Sequence, residues 1–302
     1  MDKNQTKSLL LLHLIVFIFG FTGILGKLIT LPATQLVWLR MLIGFFGIGL
    51  YMLISKNKFS VSKKQFWQYL GVGVIIAMHW IAFFESIKVS TISIALVCLS
   101  TATLFTALLE PLLFGRKIKG YEIMLGIVVI IGLFAIFKFE FQYKWGILLS
   151  VVCAFLASLF NVINGRLTKN ESPSTISFYE MLGGSIILTL FFGLSQPEMF
   201  QLSNISNSDW GFLLLLGIVC TSFAFVAGVL IMRQITPFTV ALSINLEPIY
   251  GILLALMIFG EEEKMSSGFY LGAGIILSAV IGNAYLKRRE RKLKLKLNSS
   301  IP

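Results

Sequence analysis

Charged residues along this chain fall in clusters separated by ten apolar runs: 8–29, 33–54, 67–87, 91–113, 121–137, 145–166, 174–194, 209–232, 238–259 and 268–286. Each run is long enough to cross about 30 Å of hydrocarbon at about 1.5 Å per helical residue. Lipid offers the backbone no water to bond, which leaves helices or closed barrels, and continuous runs of this length are helices. The pattern therefore predicts an all-α membrane protein with ten transmembrane helices.

Composition agrees. Of 302 residues, 57% are apolar and only 13% are charged, against roughly 25% charged in soluble domains. So few charges cannot cover the surface of a water-soluble globule, and such hydrophobicity excludes a disordered chain. The net charge of +11 is explained by position. Of the 25 basic residues, 19 lie in the two terminal segments and in the loops on the same side of a ten-span bundle. Lys27, Lys88, Lys138, Lys144 and Lys264 lie on the opposite side, and Arg40 lies inside a span. The positive-inside rule then places both termini in the cytoplasm. No nucleic-acid partner is expected, because that needs a solvated basic face; the expected surroundings are a lipid bilayer.

The loops are too short for a soluble domain. The N-terminus starts basic, like a signal peptide, but its apolar run exceeds 20 residues without a small-residue cleavage site, so it is read as the first helix. Cys98, Cys153 and Cys220 all fall inside spans, three widely spaced thiols that suggest neither a disulfide framework nor a zinc site. No metal and no cofactor are expected.

Residues 1–138 and 139–286 overlay as two five-helix units, followed by a basic tail at 287–302. Met41-Leu42 and Gly44 match Met181-Leu182 and Gly184 at an offset of 140. Trp67 matches Trp210, Phe114-Gly115 matches Phe259-Gly260, and Leu125-Gly126 matches Leu271-Gly272 at offsets rising slowly to 146. An odd number of spans per unit sets the two in opposite orientations, an inverted repeat of the kind found in alternating-access transporters.

The segments "LFTALLEPLLFGRKI" and "LEPIYGILLALMIFGEEE", ending the fourth and ninth helices of this five-plus-five plan, resemble the drug/metabolite transporter (DMT) superfamily, EamA type. The resemblance covers all but the last dozen or so residues. Its best marker is a proline about twelve residues before a Gly–Glu pair, here Pro248 and Gly260-Glu261. The first half departs from it, with Thr103 and Gly115-Arg116 at the equivalent positions and Pro111 placed later. What the resemblance implies is a secondary transporter, often an exporter, of small metabolites such as amino acids, nucleobases or amphipathic drugs, working without ATP.

Ionisable groups deep in a bilayer cost at least about 2.5–3.5 kcal/mol on insertion scales, which makes them functional candidates. Glu247 and His79 lie nearest the midplane by count of residues. Ser243, Glu247 and Tyr250 share one stripe of the ninth helix, and Pro248 frees a carbonyl at the same level. Glu247 is the first candidate for binding a substrate amine or exchanging a proton. His79 can relay protons, and neighbouring Trp80 offers a ring for cations. Arg40 can hold a carboxylate. Glu180 occupies the matching repeat position, and Glu110 lies near the cytoplasmic end of its helix. Ser100, Thr103, Thr221 and Asn245, with Thr22, add neutral groups at similar depth and suggest a cavity between helices 1, 3, 4, 8 and 9. Glu85 and Lys88 are i, i+3 neighbours read as a solvated pair.

A membrane-embedded enzyme is disfavoured. The only aspartates are Asp2 and Asp209, neither deep in a span, and the chain lacks HExxH, GxSxG and GxxxxGK[ST] motifs. A passive channel and an antiporter of nucleotide sugars or phosphorylated sugars are the alternatives; a dianionic substrate calls for several cavity cations, where the sequence offers Arg40. The expectation is a secondary active exporter of a small metabolite, such as an amino acid or amphipathic drug-like compound. It works by alternating access with proton coupling, as a monomer or homodimer in a bacterial plasma membrane.

Overall fold

The computed structural model describes residues 3–115, 117–168, 171–224, 227 and 246–299. Their regular structure is helical, with no strand among the described residues. The long helices are α1 (Lys3–Leu28), α2 (Ala33–Ile54), α3 (Lys63–Val89), α6 (Gly120–Phe139), α7 (Lys144–Leu167) and α8 (Pro173–Ser195). Two short helices, α4 (Ile92–Leu99) and α5 (Ala102–Phe114), lie between α3 and α6. After α8 come α9 (Asn207–Leu214), α10 (Glu247–Phe259) and α11 (Ser267–Ser299). Eight segments among the described residues are long and apolar enough to cross a membrane, α4 and α5 together making one of them. The expected spans 209–232 and 238–259 run through 225–226 and 228–245, outside the described residues, so α9 and α10 are the described parts of those two.

Local sequence explains the helix ends. Ser62 and Gln65 form a reciprocal capping box at the start of α3. The Thr91 side chain accepts from Ile94 N at the start of α4, and Ser206 accepts from Asp209 N at the start of α9. The expected fourth span is broken rather than continuous. At Ser100-Thr101 the chain turns, and both hydroxyls bond back to carbonyls of their own segment, those of Leu96 and Cys98. The Ala102 carbonyl just beyond the break accepts from Ser158 of α7 at 2.6 Å, so the interruption sits inside protein rather than against lipid.

Two short helices correspond closely. α5 and α10 are each 13 residues long, and each ends at a glycine of positive φ, Gly115 at 68° and Gly260 at 55°. Side chains disfavour that backbone region, so glycine stops both helices.

Close approach of backbones fixes the packing. A Cβ on Gly73 of α3 would overlap the Glu180 carbonyl of α8, and one on Gly183 would overlap Leu70. A Cβ on Gly20 of α1 would stand 2.9 Å from Gly251 N and 3.1 Å from Glu247 O of α10. Gly132 of α6 and Gly272 of α11 meet in the same way. Small residues at helix crossings are how membrane bundles gain contact where lipid competes with apolar side chains. Outside, the helices present Phe46, Leu50, Ile127, Ile130, Phe134 and many like them. Trp67 and Trp145, both exposed, lie near the starts of α3 and α7, the level at which membrane proteins place aromatic belts.

Candidate functional site

Polar groups from α1, α2, α3, α7, α9 and α10 meet inside the bundle around Arg40. This residue is 4% exposed, and its guanidinium lies over the Trp80 ring, 3.7 Å from the centroid. Phe84, one turn further along α3, is 5.6 Å away. A cation over an aromatic face in a desolvated setting gains about 2 kcal/mol. Arg40 Nε donates to Thr221 Oγ1 at 2.9 Å, while Nη1 is buried without a hydrogen-bond partner.

The backbone of α9 presents Thr221 to Arg40. Beyond Leu214 the helix widens to i→i+5 winding over Leu215–Phe223, a rare form that concentrates at functional sites. Thr221 Oγ1 donates to the Leu216 carbonyl at 2.9 Å, and Ser222 Oγ donates to that of Gly217 at 3.0 Å, each five residues back. The Thr221 hydroxyl thus donates along its own helix and accepts from Arg40, using both functions.

His79 is 8% exposed. Its Nδ1 lies 2.9 Å from the Cys153 carbonyl and 3.1 Å from Cys153 Sγ. A carbonyl only accepts, so Nδ1 carries the proton, and in the neutral ring Nε2 is left as an acceptor. Phe160 flanks the imidazole at 5.3 Å. Glu247, half-buried at the first position of α10, is close enough for its charge to act on both Arg40 and Cys153. Cys220 likewise lies beside Arg40 and near Thr22 of α1.

The structure thus brings Arg40, His79, Trp80, Thr221 and Glu247 together, while Ser100, Thr103, Tyr250 and Glu180 are engaged elsewhere. Ser100 and Thr103 bond backbone carbonyls of their own segment, those of Leu96 and Ser100. The Tyr250 hydroxyl is 3.2 Å from His13 Nδ1 of α1, with Phe17 edge-on at 6.2 Å. Glu180 is fully buried where α8 crosses α3. It accepts weakly from Ser177 at 3.4 Å and lies near Asn164 of α7, while its Oε1 has no partner. Glu110 is half-buried on α5. Asn245 lies outside the described residues. Helices α2 and α7 also contribute, through Arg40 and Cys153, so the cluster extends beyond the five helices that depth alone predicts. Cys153 and Cys220 carried no signal of their own: an apolar-looking thiol inside a span reads as core.

The EamA-like transporter family model matches residues 6–138 and again 144–285. The chain belongs to the EamA-like transporter family. Among its relatives is the uncharacterized transporter YxxF of Bacillus subtilis (strain 168), 22% identical over 96% of this chain and 93% of its own length. An uncharacterized transporter of Archaeoglobus fulgidus is 23% identical over 94% of this chain and 97% of its own. A solved crystal structure has the same fold, with a TM-score of 0.63 and 16% identity over 94% of this chain and 99% of that one. Family membership and the apolar helices together establish an integral membrane transporter of the DMT superfamily.

Proposed function

We propose that the chain is a secondary active transporter that exports a small zwitterionic or amphipathic metabolite, such as an amino acid or a drug-like amine, by alternating access. The observation that carries this reading is Arg40: a buried guanidinium with Nη1 unpartnered, shielded on one face by Trp80 and within the field of Glu247. A buried donor without a partner costs about 1–3 kcal/mol, which a substrate carboxylate would recover. Glu247 would take the substrate's amino group, or a proton when the substrate is absent, and Trp80 would cover an apolar or aromatic side chain.

The architecture for this reading is ten spans in two inverted five-helix units, 1–138 and 139–286, with both termini and the basic tail 287–302 in the cytoplasm of a bacterial cell. The matched lengths and glycine stops of α5 and α10 support it. So does the interrupted backbone at Ser100-Thr101, since transporters place such breaks at their binding level.

Counterflow in proteoliposomes tests the reading. Vesicles preloaded with unlabelled amino acids or amphipathic amines should accumulate labelled compound transiently and saturably. A non-saturable flux would favour a channel. Counterflow confined to nucleotide sugars or sugar phosphates would favour the antiporter.

A further inference from the structure

The chemistry above leaves unused a set of charged contacts gathered at one end of the bundle, around the C-terminal end of α1. Glu263 follows α10 by one short turn and is fully buried. It receives four donors: Lys27 Nζ at 3.0 Å, Ile92 N and Ser93 N at 3.1 Å each, and Ser93 Oγ at 3.0 Å. Lys27 also pairs with exposed Glu262 at 3.1 Å and lies 4.4 Å from the centroid of the Phe259 ring. One carboxylate therefore joins the ends of three elements: α1 through Lys27, α4 through its first backbone N–H groups, and α10 through its own chain.

Two neighbouring contacts hold the same end of α1. Lys88 Nζ of α3 donates to the Ile29 carbonyl at 2.9 Å. Asp209 of α9 accepts from Thr30 N and Thr30 Oγ1 at 2.8 Å each. Beneath these contacts, Ile24, Leu25 and Ile29 are fully buried, so this end of α1 is packed against its neighbours.

Mechanically, α1 and α10 touch backbone to backbone at Gly20 and Gly251, where Glu247 O also abuts α1. Lys27 stands seven residues beyond Gly20, about 10 Å along the axis. The glycine crossing thus lies at the level of Glu247, and the ion pair lies about two turns further along α1. The other end of the bundle is joined differently. Thr175 and Tyr179 of α8 donate to the Lys58 and Phe59 carbonyls, and Gln65 donates to Glu171. Those bonds tie α8 to the α2–α3 segment, which already cross at Gly73 and Gly183.

We propose that Lys27 and Glu263 form the outer gate of this transporter, a charged latch that closes α1, α4 and α10 over the Arg40 site and parts when the site opens outward. The proposal rests on the transport reading and on the orientation that places Lys27 outside.

The buried native thiols Cys153 and Cys220 report on it without any knowledge of the substrate. In right-side-out vesicles carrying the full chain, a membrane-impermeant maleimide should label them slowly, with sites read by mass spectrometry. In Lys27→Gln and Glu263→Gln, labelling at Cys220 from outside should rise at least fivefold. In the double variant Lys27→Cys/Glu263→Cys, bridging the pair with a cleavable thiol–thiol crosslinker should drop labelling below the wild-type rate, and cleavage should raise it above. The bridged pair decides the matter if a single variant fails to fold. Unchanged labelling in the folded variants, a rise only from the cytoplasmic side, or a bridged protein that labels like wild type would each overturn the gate. Loss of counterflow with these labelling changes intact would count against the transport reading instead.

Discussion

Arg40 on α2 lies face-on over Trp80 on α3, its guanidinium carbon 3.7 Å from the ring centroid. The contact accounts for a cation 4% exposed in the middle of an apolar bundle. The ring supplies electron density on one side, and Thr221 accepts from Nε at the edge. The planar fork is then left with a nitrogen to offer elsewhere. A lysine cannot do this, because an ammonium neither stacks nor donates in a fixed plane.

Substitution of Arg40 should separate charge from geometry. Arg40→Ala should lower the initial counterflow rate at least tenfold. Arg40→Lys keeps the charge but loses the planar fork that Trp80 and Thr221 orient, so a substrate carboxylate should bind at least about tenfold more weakly, a loss of about 1.4 kcal/mol or more. The purified variants should melt within a few degrees of wild type. An Arg40→Lys protein with wild-type affinity would show that the planar fork is not used.

Glu247 is assigned the proton. Glu247→Gln should still exchange substrate across a vesicle membrane but lose acceleration by an imposed pH gradient. Initial rates with and without a gradient of one pH unit check this. A variant that keeps its full gradient dependence would remove Glu247 from coupling and leave His79 as the nearest alternative, since it shares the cluster through Cys153.

Much of this arrangement was legible in the sequence, for identifiable reasons. Burying a charge in a span is costly enough that Glu247 and His79, nearest the midplane, and the shallower Arg40 all stood out, and the three converge; Glu180, at the same depth as Arg40, lies instead where α8 crosses α3. Hydroxyls carry no such cost, because they can bond the carbonyl three or four residues back. That is what Ser100 and Thr103 do, so their depth did not place them in the cluster. Tyr250 shared a stripe with Glu247 by register, yet its long side chain reaches His13, a partner 237 residues distant that no spacing rule reveals. The i, i+3 spacing of Glu85 and Lys88 predicts a solvated pair; in the structure Lys88 donates to the Ile29 carbonyl. The break at Ser100-Thr101 was not legible because hydroxyl residues inside a span are equally compatible with a continuous helix, where they bond the carbonyl a turn back, and the widened turn before Thr221 has no composition signature.

Two glycines on the same helix give a controlled test of the packing. Gly73 meets the Glu180 carbonyl of α8, whereas Gly71 has nothing within 4 Å of the position a Cβ would take. Gly73→Ala must push α3 and α8 apart and should cost about 1–3 kcal/mol, seen as a lower melting temperature in detergent. Gly71→Ala should leave melting unchanged or slightly raised, because alanine favours helix by up to about 1 kcal/mol. Equal effects would mean that the crossing is not as close as the backbone places it.

The ten-span reading turns on the stretch between α8 and α11, where α9 and α10 are the described parts of the eighth and ninth spans. Ser203, in the loop before α9, and Glu261, after α10, lie on the same side of the membrane only if the chain crosses an even number of times between them. Single cysteines at these two positions, in a background with the three native cysteines replaced, should both react with an impermeant maleimide added outside intact cells. A cysteine at Gln234 should react only after permeabilisation. The charge distribution demands the same result: Arg233 is the basic residue between the expected eighth and ninth spans, while the 195–208 loop has neither Lys nor Arg, as the positive-inside rule requires of an external loop. If Ser203 and Glu261 label from opposite sides, the chain makes a single crossing between them. The second unit would then have an even number of spans, and the two halves could not be inverted copies.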